Sequence, residues 1–298
     1  MTIQPSFPKR MLAVFLCCLL TVPGLCPAAY AASFRQLSAS SGETMIHILL
    51  IGQDRREEES ASRSDSIILC TFCPEKKNII ITSFLRDLYV KIPDHQNNRL
   101  NAAYAFGGME LLQQTIEENF QIPIHGCIEA DFSQFPQIID VLGGVSIELR
   151  KDEADSINQK IPGTLTEGVQ TLNGNQALAY SRIRNLDSDG DFSRTARQRK
   201  LISSLLDRYR DASLLTILSA VVDTLPMVTT TLSKKQIIML TAKLFPLLDA
   251  PRFTNQRIPA DGTFCYQTIR DMEVLTADLE EIRTQLQNSF NYTNDITS

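Results

Sequence analysis

Between Arg182 and Arg199 five arginines fall within 18 residues, in a 298-residue chain whose net charge is −5. Arg182 and Arg184 are two apart, so an extended segment sends both guanidinium groups to one side. Arg194 and Gln198 are four apart, so a helix sets them on one face. A guanidinium is a planar, permanently charged fork that pairs bidentately with phosphate oxygens, and several forks converging suit a pyrophosphate. Cationic residues gathered in one place on an acidic chain describe a focused anion site, and they argue against general nucleic-acid binding.

Charge also gathers where apolar runs stop. The run Met45 to Ile51 leads into Gly52-Gln53-Asp54-Arg55, another begins at Arg63-Ser64-Asp65, and a third ends at Leu85-Arg86-Asp87. Charges at strand ends lie along a sheet edge, where α/β proteins commonly bind ligands. If the first two strands are antiparallel neighbours, Asp54 and Asp65 meet at one edge, and two carboxylates with phosphate oxygens commonly hold Mg²⁺. Taken one at a time, each Asp reads as a turn or cap residue.

These groups need a scaffold. At 43% hydrophobic content the chain can bury a full core, and 13 Gly and 13 Pro without repeats describe a globular protein. Met45 to Ile51, Ser66 to Thr71, Asn78 to Phe84, Tyr89 to Ile92, Val145 to Leu149 and Phe253 to Pro259 read as strands. Helical periodicity predicts helices over Met109 to Phe120, Ser133 to Leu142 (capped by Ser133), Asn173 to Tyr180, Ser193 to Arg210, 213–225, 232–247 and Leu275 to Phe290. Lys151 to Gln170 is polar, carries Pro162, Gly163 and Gly168, and reads as a surface excursion. The interleaving predicts an α/β fold: a single layered α/β/α domain with a mixed central sheet over residues 44–298, after an N-terminal export segment.

Lys9-Arg10, the apolar run from Met11 to Leu20 and the small residues Ala28 to Ala32 make residues 1–32 a signal peptide or an uncleaved signal anchor, with 33–43 as linker. Either puts the domain outside the cytoplasm, membrane-associated or secreted. Of seven cysteines, Cys17, Cys18 and Cys26 belong to that segment. Cys70 and Cys73, three apart in a strand, point to opposite faces and read as packed small hydrophobes. Cys127 and Cys265 could be free or paired. His47, His95 and His125 are isolated and read as structural.

Taken in order, several blocks resemble a known family. They are Ile48 to Asp54, Arg63-Ser64-Asp65-Ser66, Arg86-Asp87, Arg99 to Gly108, Leu142 to Val145, Leu172 to Arg184 and Asp191 to Gln198, with Arg257 to Gly262 and the final helix behind them. Together they are similar to the LytR–CpsA–Psr family of cell-wall glycopolymer ligases. The resemblance implies an extracytoplasmic phosphotransferase that takes a glycopolymer (teichoic acid or capsular polysaccharide type) from a polyprenyl-pyrophosphate donor at the membrane. It attaches that polymer to peptidoglycan, the acceptor, through a phosphodiester.

The resemblance also implies roles for residues. Asp54 and Asp65 would hold Mg²⁺ (Mn²⁺ would serve), while Arg63, Arg86, Arg182, Arg184 and Arg194 grip the remaining oxygens and Gln198 adds a neutral hydrogen bond. Arg99 falls where the family often carries Lys. Asp191 is either the general base for the acceptor hydroxyl or an orienter of Arg194, and Asp87 is a structural partner for an arginine. Leu85 departs from a proline common before the Arg-Asp pair. Apolar faces at Leu111 to Phe120, Phe135 to Leu142 and Leu201 to Leu205 are candidate walls for a lipid groove. The same site could instead hydrolyse a polyprenyl pyrophosphate, or bind a lipid phosphate without turnover and regulate envelope synthesis.

Overall fold

The computed structural model describes residues 45–53, 64–187 and 190–291, so the expected export segment, the linker, Asp54 and Arg63 lie outside the described residues. Three apolar runs rich in β-branched residues form the middle of the sheet: β1 (Ile46–Gln53), β2 (Ser64–Cys73) and β3 (Asn78–Phe84). All seven residues of β3 are buried, as in a strand covered on both faces. Each of these strands runs antiparallel to the next. The pairing sets Gln53 across from Ser64, the residue before Asp65.

The chain then makes a two-residue ribbon, β4 (Tyr89–Val90) with β5 (Asn98–Arg99), and enters α1 (Leu100–Phe120). Next come β6 (Gly126–Asp131), parallel to β1, then α2 (Phe135–Val141), β7 (Val145–Leu149), α3 (Lys151–Lys160), β8 (Gly168–Leu172) and α4 (Gly174–Ser181). The last part holds α5 (Asp191–Arg208), α6 (Leu214–Thr224), β9 (Thr229–Thr230), α7 (Lys234–Leu244), β10 (Arg252–Ile258), β11 (Phe264–Ile269), β12 (Met272–Ala277) and α8 (Leu279–Asn291). The main sheet has the order β10-β3-β2-β1-β6-β9 and is mixed, with β10 parallel to β3 and β9 antiparallel to β6. Among the described residues no helix is long and apolar enough to cross a membrane.

The two-residue period of the strands divides their side chains between two layers. Leu49, Ile51, Ile67, Leu69 and Ile80 pack with Leu112, Ile116 and Phe120 of α1 and Ile282 and Leu286 of α8. Their neighbours Ile68, Cys70, Ile79 and Ile81 face Ile202 and Leu206 of α5 instead. Cys70 and Cys73 fall on opposite sides of the sheet, as their spacing predicts. Cys127 and Cys265 are both free thiols. A further core joins α2, α3, α4 and α5 to the antiparallel β7–β8 pair through Ile139, Ile147, Ile157, Tyr180 and Leu201.

Several elements differ from the expectation. The helix expected from Met109 begins nine residues earlier, at Leu100, and Gly107-Gly108 kink it, with Gly108 at φ 64°. Ser133 does not cap α2: its N–H donates to Asp131 Oδ1 at 2.7 Å, and Gln134 takes the cap position. The strand expected at Tyr89 to Ile92 shrinks to two residues. The stretch Leu275 to Phe290 is divided between β12 and α8. Strand β6 and the β11–β12 hairpin have too little alternation to stand out in the sequence. Leu85 is accommodated through a bond that proline could not make: its N–H donates to the Ile258 carbonyl at 2.8 Å.

The histidines are less isolated than their spacing suggests. The His47 and His125 rings stack at 5.7 Å, His47 Nδ1 lies 2.9 Å from Thr71 Oγ1, and the His47 N–H donates to His125 Nδ1 at 3.1 Å. Burial, aided by His125, pushes the His47 pKa down from 6.5 to about 4. Between those values the unfolded chain carries a proton that the folded chain refuses, so stability rises with pH through this window. Full stability is expected above about pH 6.5 and loss as pH falls toward 4, by up to ~3 kcal/mol. Melting temperature against pH should show it, and a slope unchanged in His47→Gln would assign the effect elsewhere.

Candidate active site

The two arginines at the end of α4 are aimed by how that helix is anchored. Asn173 caps it, its Oδ1 accepting from the Gln176 N–H at 3.0 Å while Gln176 Oε1 accepts from the Asn173 N–H at 3.0 Å. Only glycine fits at the first helical position: a Cβ on Gly174 would lie 1.9 Å from the Pro136 carbonyl oxygen. Ala177 and Tyr180 bury the inner face, and the helix stops at Ser181. In the turn that follows, buried Ile183 separates exposed Arg182 and Arg184; Arg182 closes the helix at φ −100° and ψ 2°, not in the extended chain that the spacing predicts. The Arg182 guanidinium sits 4.8 Å from the centre of the Phe132 ring, a cation–π contact.

Helix α5 presents Arg194 and Gln198 on one buried face. Arg194 is 3% exposed, and its Nη2 donates to Asp191 Oδ1 and Oδ2 at 2.8 and 2.9 Å. Arg184 Nε lies 3.7 Å from the same Asp191. Burial lowers the Arg194 pKa against the pull of Asp191, and Arg184 and Arg86 lower it further. A guanidinium keeps its charge through such a shift. Gln198 Oε1 accepts from Ser66 Oγ at 3.0 Å, which ties α5 to the start of β2.

Arg86, just past β3, donates to Asp65 through Nη1, and its Nε lies 3.6 Å from Asp87 Oδ2. Burial opposes its charge, but Asp191, Asp87 and Asp65 more than offset that and hold its pKa above the ordinary value. Asp65, Arg86, Arg182, Arg184, Arg194 and Gln198 thus line one open cleft of about 930 Å³. Asp191 adjoins it through Arg194. Arg99 is not among the lining residues: its Nε donates to the Glu273 carbonyl at 2.8 Å and its Nη1 is 3.5 Å from Asp87.

Of the five clustered arginines, two do not line the cleft. Arg197 is buried against Glu153 (Nε to Oε1, 2.8 Å) and Asp187. Arg199 is largely buried near Arg257, and burial together with that second cation lowers its pKa to about 10. The far wall of the cleft lies outside the residues that the sequence points to. Asp152, Asp155, Ser156 and Gln159 of α3 line it, in the stretch expected to be a surface excursion. Their spacing of three and four, opposite buried Ala154 and Ile157, was the signal available.

A second, apolar cavity of about 230 Å³ shares Phe132 and Gln198 with the cleft. Leu50 and Ile68 of the sheet, Ile138 and Ile139 of α2, and Leu201, Ile202 and Leu205 of α5 line it. Two of the three expected lipid walls therefore surround it. The third, Leu111 to Phe120, belongs to the core on the opposite face of the sheet.

Among the described residues no three His, Cys, Asp or Glu side chains cluster as a metal site. Asp65 faces the cleft about a quarter exposed, one oxygen accepting from Arg86. One such carboxylate beside phosphate oxygens fits Mg²⁺, which keeps several waters and asks few protein ligands.

The sequence profile of the LytR_cpsA_psr family matches residues 28–288. The chain is 34% identical over 191 residues to the polyisoprenyl-teichoic acid–peptidoglycan teichoic acid transferase TagT of Bacillus subtilis (strain 168). That match covers 62% of this chain and 59% of the relative's length. Among solved structures, TagT bound to LIIa-WTA superposes with a TM-score of 0.67 at 28% identity, covering 83% of this chain and 91% of that one. The YwtF (TagT) structure with bound octaprenyl pyrophosphate lipid superposes at 0.62 with 27% identity, covering 83% and 90%.

Proposed function

This chain belongs to the LytR–CpsA–Psr family, and from that premise we propose that it is an extracytoplasmic phosphotransferase. Its donor is a glycopolymer linked through pyrophosphate to a polyprenyl lipid, and its acceptor is a peptidoglycan hydroxyl. The observation that carries this reading is the contact of two unlike cavities: an arginine-lined cleft and an apolar pocket that share Phe132 and Gln198. A lipid pyrophosphate is the ligand that needs both, charge at its head and apolar walls for its tail. The similarity of this chain to TagT, a teichoic acid transferase also seen with bound octaprenyl pyrophosphate, supports it.

In this reaction the acceptor oxygen attacks the phosphorus that carries the glycan. The bond from that phosphorus to the bridging oxygen breaks, polyprenyl phosphate leaves with the electron pair, and the glycan remains on a phosphodiester. Such transfer needs alignment and charge neutralisation more than covalent catalysis. Arg86, Arg182, Arg184 and Arg194 offer fixed forks to the oxygens on which charge accumulates. Asp191, at the edge of the cleft, is the carboxylate we assign to receive the hydroxyl proton, and it also orients Arg194. Asp65, with Asp54 from outside the described residues, would hold Mg²⁺ or Mn²⁺, which would supply further neutralisation of the pyrophosphate.

The test is mass spectrometry of an organic extract of the full chain purified from a polyprenyl-making cell. A co-purifying polyprenyl phosphate or pyrophosphate is expected, followed by transfer to added peptidoglycan. Release of free glycopolymer at an equal rate with and without peptidoglycan would replace transfer by hydrolysis. A chain that neither carries nor binds such a lipid would refute the reading.

A further inference from the structure

A row of aromatic rings leaves the site on the side of Asp191. Phe192 follows Asp191 in the first turn of α5, and the Arg257 guanidinium of β10 lies 3.9 Å from its ring centre. Phe192 meets Phe264 edge-on at 5.6 Å, and Phe264 meets Tyr266 edge-on at 5.7 Å. Phe264 and Tyr266 are two apart on β11, so the strand carries them along one face. Tyr266 ends the row 70% exposed, where an aromatic side chain of that size buries little for the fold. None of the three rings lines the cleft proposed to hold the pyrophosphate.

We propose that this row is a carbohydrate platform that receives the glycan strand of the acceptor, an inference that rests on the transferase reading above. The apolar C–H face of a pyranose carries slight positive charge and stacks on the electron-rich face of an aromatic ring. The exposed Tyr266 ring, steadied by its edge-on contact with Phe264, therefore suits one N-acetylhexosamine of a linked chain. A transferase with its donor head in the arginine cleft needs a second substrate delivered beside the group that takes its proton, and the row starts at the residue joined to Asp191. The β11–β12 hairpin is fastened next to the same machinery. The Leu275 N–H donates to the Asp87 carbonyl at 2.9 Å, and Arg99 donates to the Glu273 carbonyl.

The experiment measures binding without turnover. A soluble tetrasaccharide of alternating N-acetylglucosamine and N-acetylmuramic acid is titrated into the full chain and followed by saturation-transfer NMR and calorimetry. The wild-type chain should bind it, Tyr266→Ala about tenfold more weakly, and Tyr266→Phe like wild type, because the ring and not the hydroxyl makes the contact. Undecaprenyl pyrophosphate, titrated separately, should bind all three alike. No tetrasaccharide binding by the wild type, equal binding by Tyr266→Ala, or a loss confined to the lipid would overturn the platform. Saccharide binding through Tyr266 in a chain that ignores the lipid would keep the platform and remove the transferase reading.

Discussion

Arg194→Ala is expected to lower the rate of glycopolymer transfer by about a hundredfold to a thousandfold, the usual cost of removing one preorganised donor from a charge-stabilising site. The size follows from where the guanidinium sits. At 3% exposure it is screened little by water, and Asp191 holds its angle with both carboxylate oxygens within 2.9 Å of Nη2. Arg194→Lys should recover only part of the rate, since an ammonium restores charge without the planar fork. Its neighbour Arg197 supplies the contrast. Arg197→Ala leaves buried Glu153 with only the half-exposed Arg150, 3.9 Å away, as a cationic partner and should cost about 3 kcal/mol of stability. Transfer of a labelled lipid-linked polymer, read beside thermal melts, separates the two. A folded Arg194→Ala protein with wild-type turnover would take Arg194 out of the catalytic account.

Ala130→Phe is expected to act on the lipid alone. Ala130 lines the apolar cavity of about 230 Å³, so a phenyl ring there occupies space in place of a tail. Excluding one five-carbon isoprene unit forfeits about 3–4 kcal/mol at ~0.8 kcal/mol per buried carbon, which is a loss of several hundredfold in affinity. Binding of polyprenyl pyrophosphates of increasing chain length should therefore plateau early in the variant and keep rising in the wild type. Inorganic pyrophosphate should bind both proteins equally, because the arginine cleft is untouched. Identical chain-length profiles would show that the tail lies elsewhere.

Much of this site could be read from the linear chain because spacing alone sets direction. Four apart in a helix placed Arg194 above Gln198, whereas Arg182 and Arg184 reach the same cleft from a turn that ends α4 and not from the extended chain their spacing predicts. The buried middle of the sheet was legible for a similar reason: β1, β2 and β3 are continuous apolar runs bounded by polar turns. Strand β6 was not, since Gly126 and Glu129 interrupt its apolar character, and Glu129 is buried with Gln53 and Tyr104 hydrogen-bonded to it. The wall formed by α3 was hidden by polarity. A helix that turns a polar face to a cleft looks, in sequence, like one that turns it to solvent.

The sequence by itself determined which residues carry charge, which side of each local element they occupy, and which family the chain resembles. Those properties depend on backbone period and side-chain chemistry, and both are local. Only the tertiary structure decided which of the clustered arginines face a ligand. Arg194 and Arg197 are three apart on one helix, yet one meets the cleft and the other a buried ion pair with Glu153, 44 positions away in the chain. It also decided that an apolar pocket adjoins the charged cleft, and that the Phe192 and Tyr266 rings join one row through Phe264. Those outcomes are set by packing between segments far apart in the chain, and no local period encodes them.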